Sequence, residues 1–251
     1  MTPQSPAFLD FRSIFRYHLT LFFFFVQEFP LRMGITKYGY DVFFTITALC
    51  LILIVVALVF IEPRGFKFGL IGLSVLFFGF TANFFRDPER VTPAGEKLVI
   101  SPADGKVIVV KQVTENEYFQ GEATMVSIFM SPVNVHVNRA PITGTVTHYR
   151  YVKGEYFAAF EDKASEKNEQ TVIGMEGAHG KVLFKQIAGF IARRIVCNLK
   201  PGDRATAGER FGMIKFGSRV DVFLPTSARI DVKIGDITAA GETVLAEFSR
   251  P

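Results

Sequence analysis

Cysteine is scarce in this 251-residue chain. Cys50 and Cys197 lie far apart, and Cys50 falls inside an apolar run, so neither a disulfide framework nor a zinc site is indicated. A concentrated basic run is also missing, and so is any nucleic-acid-binding motif, which leaves a nucleic-acid partner without footing. The net charge of +4 is mild and suits an anionic surface or substrate without requiring one. No cleavable secretory signal is present, because the apolar stretches begin late and no small-residue cleavage site follows the first. The most telling absence is of charge, which is missing from Val42 to Ile61 and again from Phe68 to Phe85.

Each uncharged stretch is long enough to cross about 30 Å of hydrocarbon as a helix. The link Glu62-Pro63-Arg64-Gly65-Phe66-Lys67 between them is short, so the two form a transmembrane hairpin over residues 42–85 that returns both ends to one side. Arg12, Arg16, Arg32 and Lys37 ahead of the first span, with Arg86 and Arg90 after the second, outnumber Arg64 and Lys67 in the loop, which predicts cytoplasmic termini. Residues 1–41 are aromatic and basic. Their Leu19–Val26 run is too short to span and reads as an interfacial segment, or else as a buried helix of the main domain.

Composition changes at Arg86-Asp87-Pro88-Glu89-Arg90, the expected start of a β domain over 86–251. Short Val/Ile/Phe-rich runs separated by Gly, Pro and Asp predict a compact antiparallel barrel or sandwich. The expected strands are 106–113, 123–130, 134–139, 143–152, 181–188, 192–198, 211–216, 219–224 and 229–233. Residues 161–170 are polar throughout and read as a mobile loop. Leu199-Lys200-Pro201-Gly202-Asp203 with Ala207-Gly208-Glu209 is echoed by Val232-Lys233-Ile234-Gly235-Asp236 with Ala240-Gly241-Glu242, which predicts two similar turns rather than a solenoid.

Five stretches carry candidate chemistry. In Phe211–Pro225 two apolar runs flank Gly217-Ser218, with no ordinary hairpin signal. Glycine lets the backbone present the Gly217 carbonyl to the Ser218 hydroxyl. A period of two places Ser218 on the side of Val220 and Val222, with Arg219 and Asp221 opposite. Ser101-Pro102-Ala103-Asp104-Gly105-Lys106-Val107 carries a carboxylate in a turn, where Asp before Gly is also an ordinary turn residue. In Ser131–Pro141 alternation puts Asn134, His136 and Asn138 on one face, and His136 is either an acid–base group near neutral pH or an exposed histidine. Gln186-Ile187-Ala188-Gly189 and Ala192-Arg193-Arg194-Ile195-Val196 read as strand, turn and strand. His148 and His179 have nothing in their surroundings to recommend them.

Together and in this order, these stretches resemble the phosphatidylserine decarboxylases, in their short membrane-anchored form. The similarity runs from Phe84-Phe85-Arg86-Asp87-Pro88-Glu89-Arg90 through Ser101–Gly105, Ser131–Pro141 and Gln186–Arg194 to Phe211–Pro225. It covers essentially all of 86–251. The resemblance implies self-cleavage between Gly217 and Ser218 into a β chain (1–217) and an α chain (218–251), with Ser218 becoming a covalent pyruvoyl cofactor and neither metal nor pyridoxal phosphate required. It implies phosphatidylserine as substrate, phosphatidylethanolamine and CO2 as products, an anionic membrane as partner and a catalytic domain on the cytoplasmic face of the cell (inner) membrane. Homo-oligomerisation is left open. Asp104 and His136 match the family's acidic and first histidine positions. A second histidine found in many longer members is replaced by Arg139, which as a permanent cation cannot take a proton from Ser218. Arg193 and Arg194 are candidate contacts for a lipid phosphate or carboxylate, and strand parity allows at most one of them. A non-catalytic membrane adaptor with a lipoyl- or biotin-carrier-like β domain is the reading from another class, and an archaeal-type serine lipid is the alternative substrate.

Overall fold

The computed structural model describes residues 34–155, 167–189, 194–215 and 218–249. Most of the interfacial segment, residues 161–166 of the polar stretch, Arg193 and Gly217 therefore lie outside the described residues.

The two uncharged stretches are helices, α1 (Tyr40–Phe60) and α2 (Arg64–Phe84), separated by a turn whose Pro63 caps the second. Each helix begins a little before its uncharged run, taking Tyr40–Asp41 or Arg64–Lys67 into its first turn. Both are long and apolar enough to cross a membrane. Their outer surface is made of exposed side chains such as Leu51, Val59, Phe66 and Leu76. The hydroxyls of Thr47, Ser74 and Thr81 donate to the carbonyls of Phe43, Leu70 and Phe77 one turn back, at 2.8–2.9 Å. Satisfying each hydroxyl within its own helix is what an apolar solvent demands.

The rest is antiparallel β structure: β1 (Leu98–Ile100), β2 (Gly105–Glu115), β3 (Gly121–Met130), β4 (Val137–Arg139), β5 (Gly144–Val152), β6 (Gln170–Gly177), β7 (Gly180–Ala188), β8 (Arg194–Cys197), β9 (Arg204–Ala205), β10 (Arg210–Lys215), β11 (Ser218–Pro225), β12 (Arg229–Ile230), β13 (Ile237–Thr238) and β14 (Val244–Glu247). Eight strands form one sheet in the order β13-β2-β3-β11-β7-β6-β5-β9, with β1-β14-β12 and β4-β10-β8 as two three-stranded sheets. The main core, including Val126, Ile128, Val220, Val222, Phe184 and Ile173 from the large sheet, and Val99, Ile214 and Leu245 from the small ones, lies between them.

The large sheet reads alike from either end, and the repeated Gly-Asp segments are the reason. Lys200 N–H donates to Asp203 Oδ2 (2.8 Å) and Lys233 N–H to Asp236 Oδ2 (3.0 Å). Gly202 N–H reaches Val146 O and Gly235 N–H reaches Val107 O, both at 2.8 Å. The strands that follow, β9 and β13, then pair with β5 and β2. Gly208 N–H and Gly241 N–H close the motif on Ala140 O and Ser101 O.

Two expectations need correction, and several strands were not foreseen. The strand expected over 134–139 is only Val137–Arg139, because Asn134 closes a turn on Ser131 by accepting from both its N–H (2.9 Å) and its hydroxyl (2.7 Å). The expected loop ends early: Asn168 and Glu169 are buried, Asn168 Nδ2 donates to Ala188 O at 2.7 Å, and Gln170 opens β6. Polar composition there masks a backbone that belongs to the ladder. The short strands β1, β9, β13 and β14 carry too few residues to show a period.

Gly208 has φ +81° and a Cβ there would meet the Thr92 side chain at 1.9 Å, whereas Gly235 has φ +101° with open space around it. We expect Gly235→Ala to cost roughly 1–2 kcal/mol from backbone strain alone and Gly208→Ala to cost more. Equal shifts in their denaturation midpoints would contradict the clash.

Candidate active site

Ser218 is the first residue of β11, opposite Met130 of β3 on one edge and Ala188 of β7 on the other. It is fully buried on the core side, with Val220 and Val222, as the period of two requires. Its hydroxyl donates to Met130 Sδ at 3.5 Å, a weak acceptor. Arg219 and Asp221 occupy the opposite face as a buried ion pair at 2.6 Å, with Arg219 Nη2 also donating to Ser127 Oγ (2.8 Å) and Nη1 left without a partner.

Met130 Sδ also receives Asn138 Nδ2 at 3.9 Å, so the thioether lies between the serine hydroxyl and an amide. Asn138 belongs to a buried polar chain: Thr171 Oγ1 donates to Gln186 Oε1 (2.7 Å), Gln186 Nε2 to Asn138 Oδ1 (2.9 Å), and Asn138 Nδ2 to Pro102 O (3.2 Å). Sequence reasoning named Gln186 and Asn138 within its motifs without pairing them, since the bond joins two strands distant in the chain.

His136 follows the Ser131–Asn134 turn and is fully buried. Its Nδ1 lies 2.9 Å from Asn134 O. A carbonyl can only accept, so Nδ1 carries the proton and Nε2 is the lone-pair nitrogen. Nε2 is buried without a hydrogen-bond partner. Burial, opposed by the Asn134 bond and reinforced by the nearby Arg86 cation, lowers the imidazole pKa to about 4. The ring stacks on Phe84, the last residue of α2, with centroids 4.2 Å apart and planes 34° apart.

Asp104 opens the turn into β2. Its carboxylate accepts from Arg90 Nη2 (2.9 Å) and from Ala240 N–H (2.7 Å), not from His136 or Ser218. Desolvation by burial raises its pKa despite those two bonds. Arg86 acts electrostatically on both Asp104 and His136, and its Nη2 donates to Val133 O at 2.9 Å. Arg139 is a strut: Nη1 donates to Gly208 O, and Nη2 to Asp87 Oδ1 and Pro88 O. Arg194 is exposed at the base of α1, 3.5 Å from Asp41, which also holds the buried Lys215 Nζ at 3.1 Å. His148 and His179 pair with the surface carboxylates of Glu117 and Glu96. The structure thus gathers Ser218 and Asn138 around Met130, with Gln186 behind Asn138, and sets His136 against the end of α2, while Asp104 is engaged by Arg90.

The sequence profile of the phosphatidylserine decarboxylase family matches residues 77–246. A phosphatidylserine decarboxylase proenzyme of Chlorobium chlorochromatii is 50% identical over 214 residues, covering 85% of this chain and all of that protein. The proteins of the same name from Chlorobium phaeobacteroides and Amoebophilus asiaticus are 43% and 46% identical, over 85% and 74% of this chain and 99% and 80% of their own lengths.

A base whose folded pKa is depressed contributes stability that is fully present above its unfolded pKa of about 6.5 and is lost as pH falls toward the folded value. For His136, with a folded value of about 4, we expect stability to fall by on the order of 2–3 kcal/mol between pH 6.5 and 4, and His136→Gln to remove that part of the slope. Denaturation midpoints of both proteins across this range provide the check. An identical slope in the two would place the titration elsewhere.

Proposed function

The chain belongs to the phosphatidylserine decarboxylase family, and on that premise we propose that it cuts itself at Gly217–Ser218 and decarboxylates phosphatidylserine to phosphatidylethanolamine and CO2. The observation that carries the reading is Ser218: a fully buried hydroxyl at the head of a doubly paired strand, directly after a glycine, spent on nothing stronger than a thioether. An ordinary turn serine is exposed or caps a backbone group.

In the proposed reaction the Ser218 hydroxyl adds to the Gly217 carbonyl, the amide C–N bond breaks, and an ester to Oγ replaces it. Loss of the Ser218 α-proton then expels the Gly217 carboxylate. One water replaces the freed nitrogen, which leaves as ammonia, and the new N-terminus at residue 218 is a pyruvoyl group. His136 Nε2, neutral and carrying a free lone pair, takes the hydroxyl proton. Asp104 acts as a positioning residue, fixed by Arg90 and the Ala240 amide so that Gly105 can pack against the Phe129 carbonyl of β3. Asn138, already beside Met130 Sδ, offers an N–H to oxygens of the cleaved junction. The pyruvoyl group supplies a carbonyl that holds the lipid's amine and takes up the electrons left when CO2 departs. His136 then returns a proton to the product carbon.

The anchor suits a lipid substrate. With α1 and α2 spanning the membrane and the β domain on the cytoplasmic side, Arg194 lies at head-group depth beside Asp41 and serves as an anion contact. We expect purified protein to contain an α chain of residues 218–251 with a blocked N-terminus. Ser218→Ala should remain full length and release no CO2. Intact mass spectrometry with a radiolabelled-lipid CO2 assay tests both, and a full-length wild-type chain that still decarboxylates phosphatidylserine would overturn the reading.

A further inference from the structure

The inner end of the membrane hairpin is packed directly against the catalytic domain. Phe84 and Phe85, at the end of α2, are fully buried in a cluster with Ile35, Tyr38 and Phe43 from the base of α1 and with Val135, Val137 and Met213 from the β domain. Val135 and Val137 are the two chain neighbours of His136. Thr36 N–H donates to Phe85 O at 2.9 Å, and Arg86 holds Val133 O in the turn that leads to His136. On the far side, Asp41 of α1 holds the buried ammonium of Lys215, two residues before Gly217. The hairpin therefore touches the domain at both the histidine turn and the strand that runs into the cleavage junction.

We infer that Phe84 is a positioning residue for His136, and that seating of the membrane hairpin thereby sets the rate of self-processing. The inference rests on the proposed role of His136 as the base. The Nδ1 bond to Asn134 fixes one atom of the imidazole and leaves the ring free to rock about it. The Phe84 face, at 4.2 Å, fixes the plane and hence the direction of the Nε2 lone pair. The other groups facing the imidazole do not do that job. From α2's end Arg86 adds a positive field, from β10 Ile214 N–H meets only the His136 carbonyl, Met213 is apolar, and the Lys215 ammonium is turned to Asp41.

The test uses the full-length chain synthesised into phospholipid nanodiscs, with cleavage followed by appearance of the α chain across pH 4–8. We expect Phe84→Ala to slow cleavage at least about tenfold. We expect its acid limb to move up from near the buried value of about 4 toward the ordinary imidazole value of about 6.5. Phe84→Leu keeps apolar volume in the cluster but loses the flat face, so it should retain the wild-type melting behaviour while shifting the limb in the same direction. Phe66→Ala, on the lipid-facing surface at the far end of α2, should change neither. Wild-type rates and pH profiles in a folded Phe84→Leu, with His136→Ala unable to cleave, would overturn the inference and leave the role of His136 intact. Normal cleavage by His136→Ala would overturn that role, and the inference with it.

Discussion

Strand β11 is held on both edges. Residues 218–225 pair with β3 along their whole length, and 218–223 pair with β7. A single-residue slip would turn Ser218 from the core face to the opposite one and place Arg219 in the core opposite Ile128 or Met130 instead. The buried Arg219–Asp221 pair, with Ser127 of β3, makes such a slip costly, because both charges would move to the apolar side and Arg219 would leave Ser127. The same two ladders answer what would hold the α chain after the proposed cut. With each ladder bond worth about 1 kcal/mol net and the side chains of Val220, Val222 and Leu224 in the core, breaking the covalent link ahead of Ser218 leaves the strand where it was.

The twofold character of the sheet explains where the site came to lie. In one half, β6 and β7 are joined by a tight hairpin whose last pair is Gly177 with Gly180. In the other half the matching place is the end of β3 and the start of β11, whose last pair is Met130 with Ser218. Here no hairpin closes the end. The chain leaves Met130 for the turn that carries His136, and it arrives at Ser218 from β10. The proposed site is an unclosed hairpin: two strand ends meet, one leading to His136 and the other beginning with Ser218. A second difference between the halves points the same way. Ala207 N–H donates to Thr143 Oγ1 in one turn, and Ala240 N–H to Asp104 Oδ1 in the other. The structural task is the same, so the carboxylate is there for something a hydroxyl would not do, and Arg90 is its second partner.

Local periodicity made part of this legible in the sequence. The face of Ser218, the two helices and the paired Gly-Asp turns all follow from spacing within a few residues. The burial of His136 does not, because it depends on a phenylalanine some fifty positions earlier and on a turn that Asn134 closes with its side chain as well as its backbone. The Arg139 question was visible as residue chemistry, but its answer was not. Only the fold shows the guanidinium spent on Asp87, Pro88 and Gly208, away from any proton transfer. Asn168 and Gln170 misled for the reverse reason: polar residues look like a loop until the Asn168 bond to Ala188 O and the pairing of Gln170 with Val152 and Ile187 are known.

The arrangement leaves the atoms of the proposed reaction underused. A buried lone pair without a donor costs about 1–3 kcal/mol relative to a satisfied one, and His136 Nε2 is such an atom. Ser218 gives its proton to a sulfur, at a fraction of the strength of a bond to oxygen. Neither group would have to break a strong hydrogen bond before reacting, so stability forgone in the precursor is not added to the barrier. The low imidazole pKa has a cost of its own, since a weaker base draws the hydroxyl proton less strongly. A step that each molecule carries out once tolerates a slow rate. What the proposed step does not tolerate is a base already protonated near neutral pH, and burial against Phe84 guards against that.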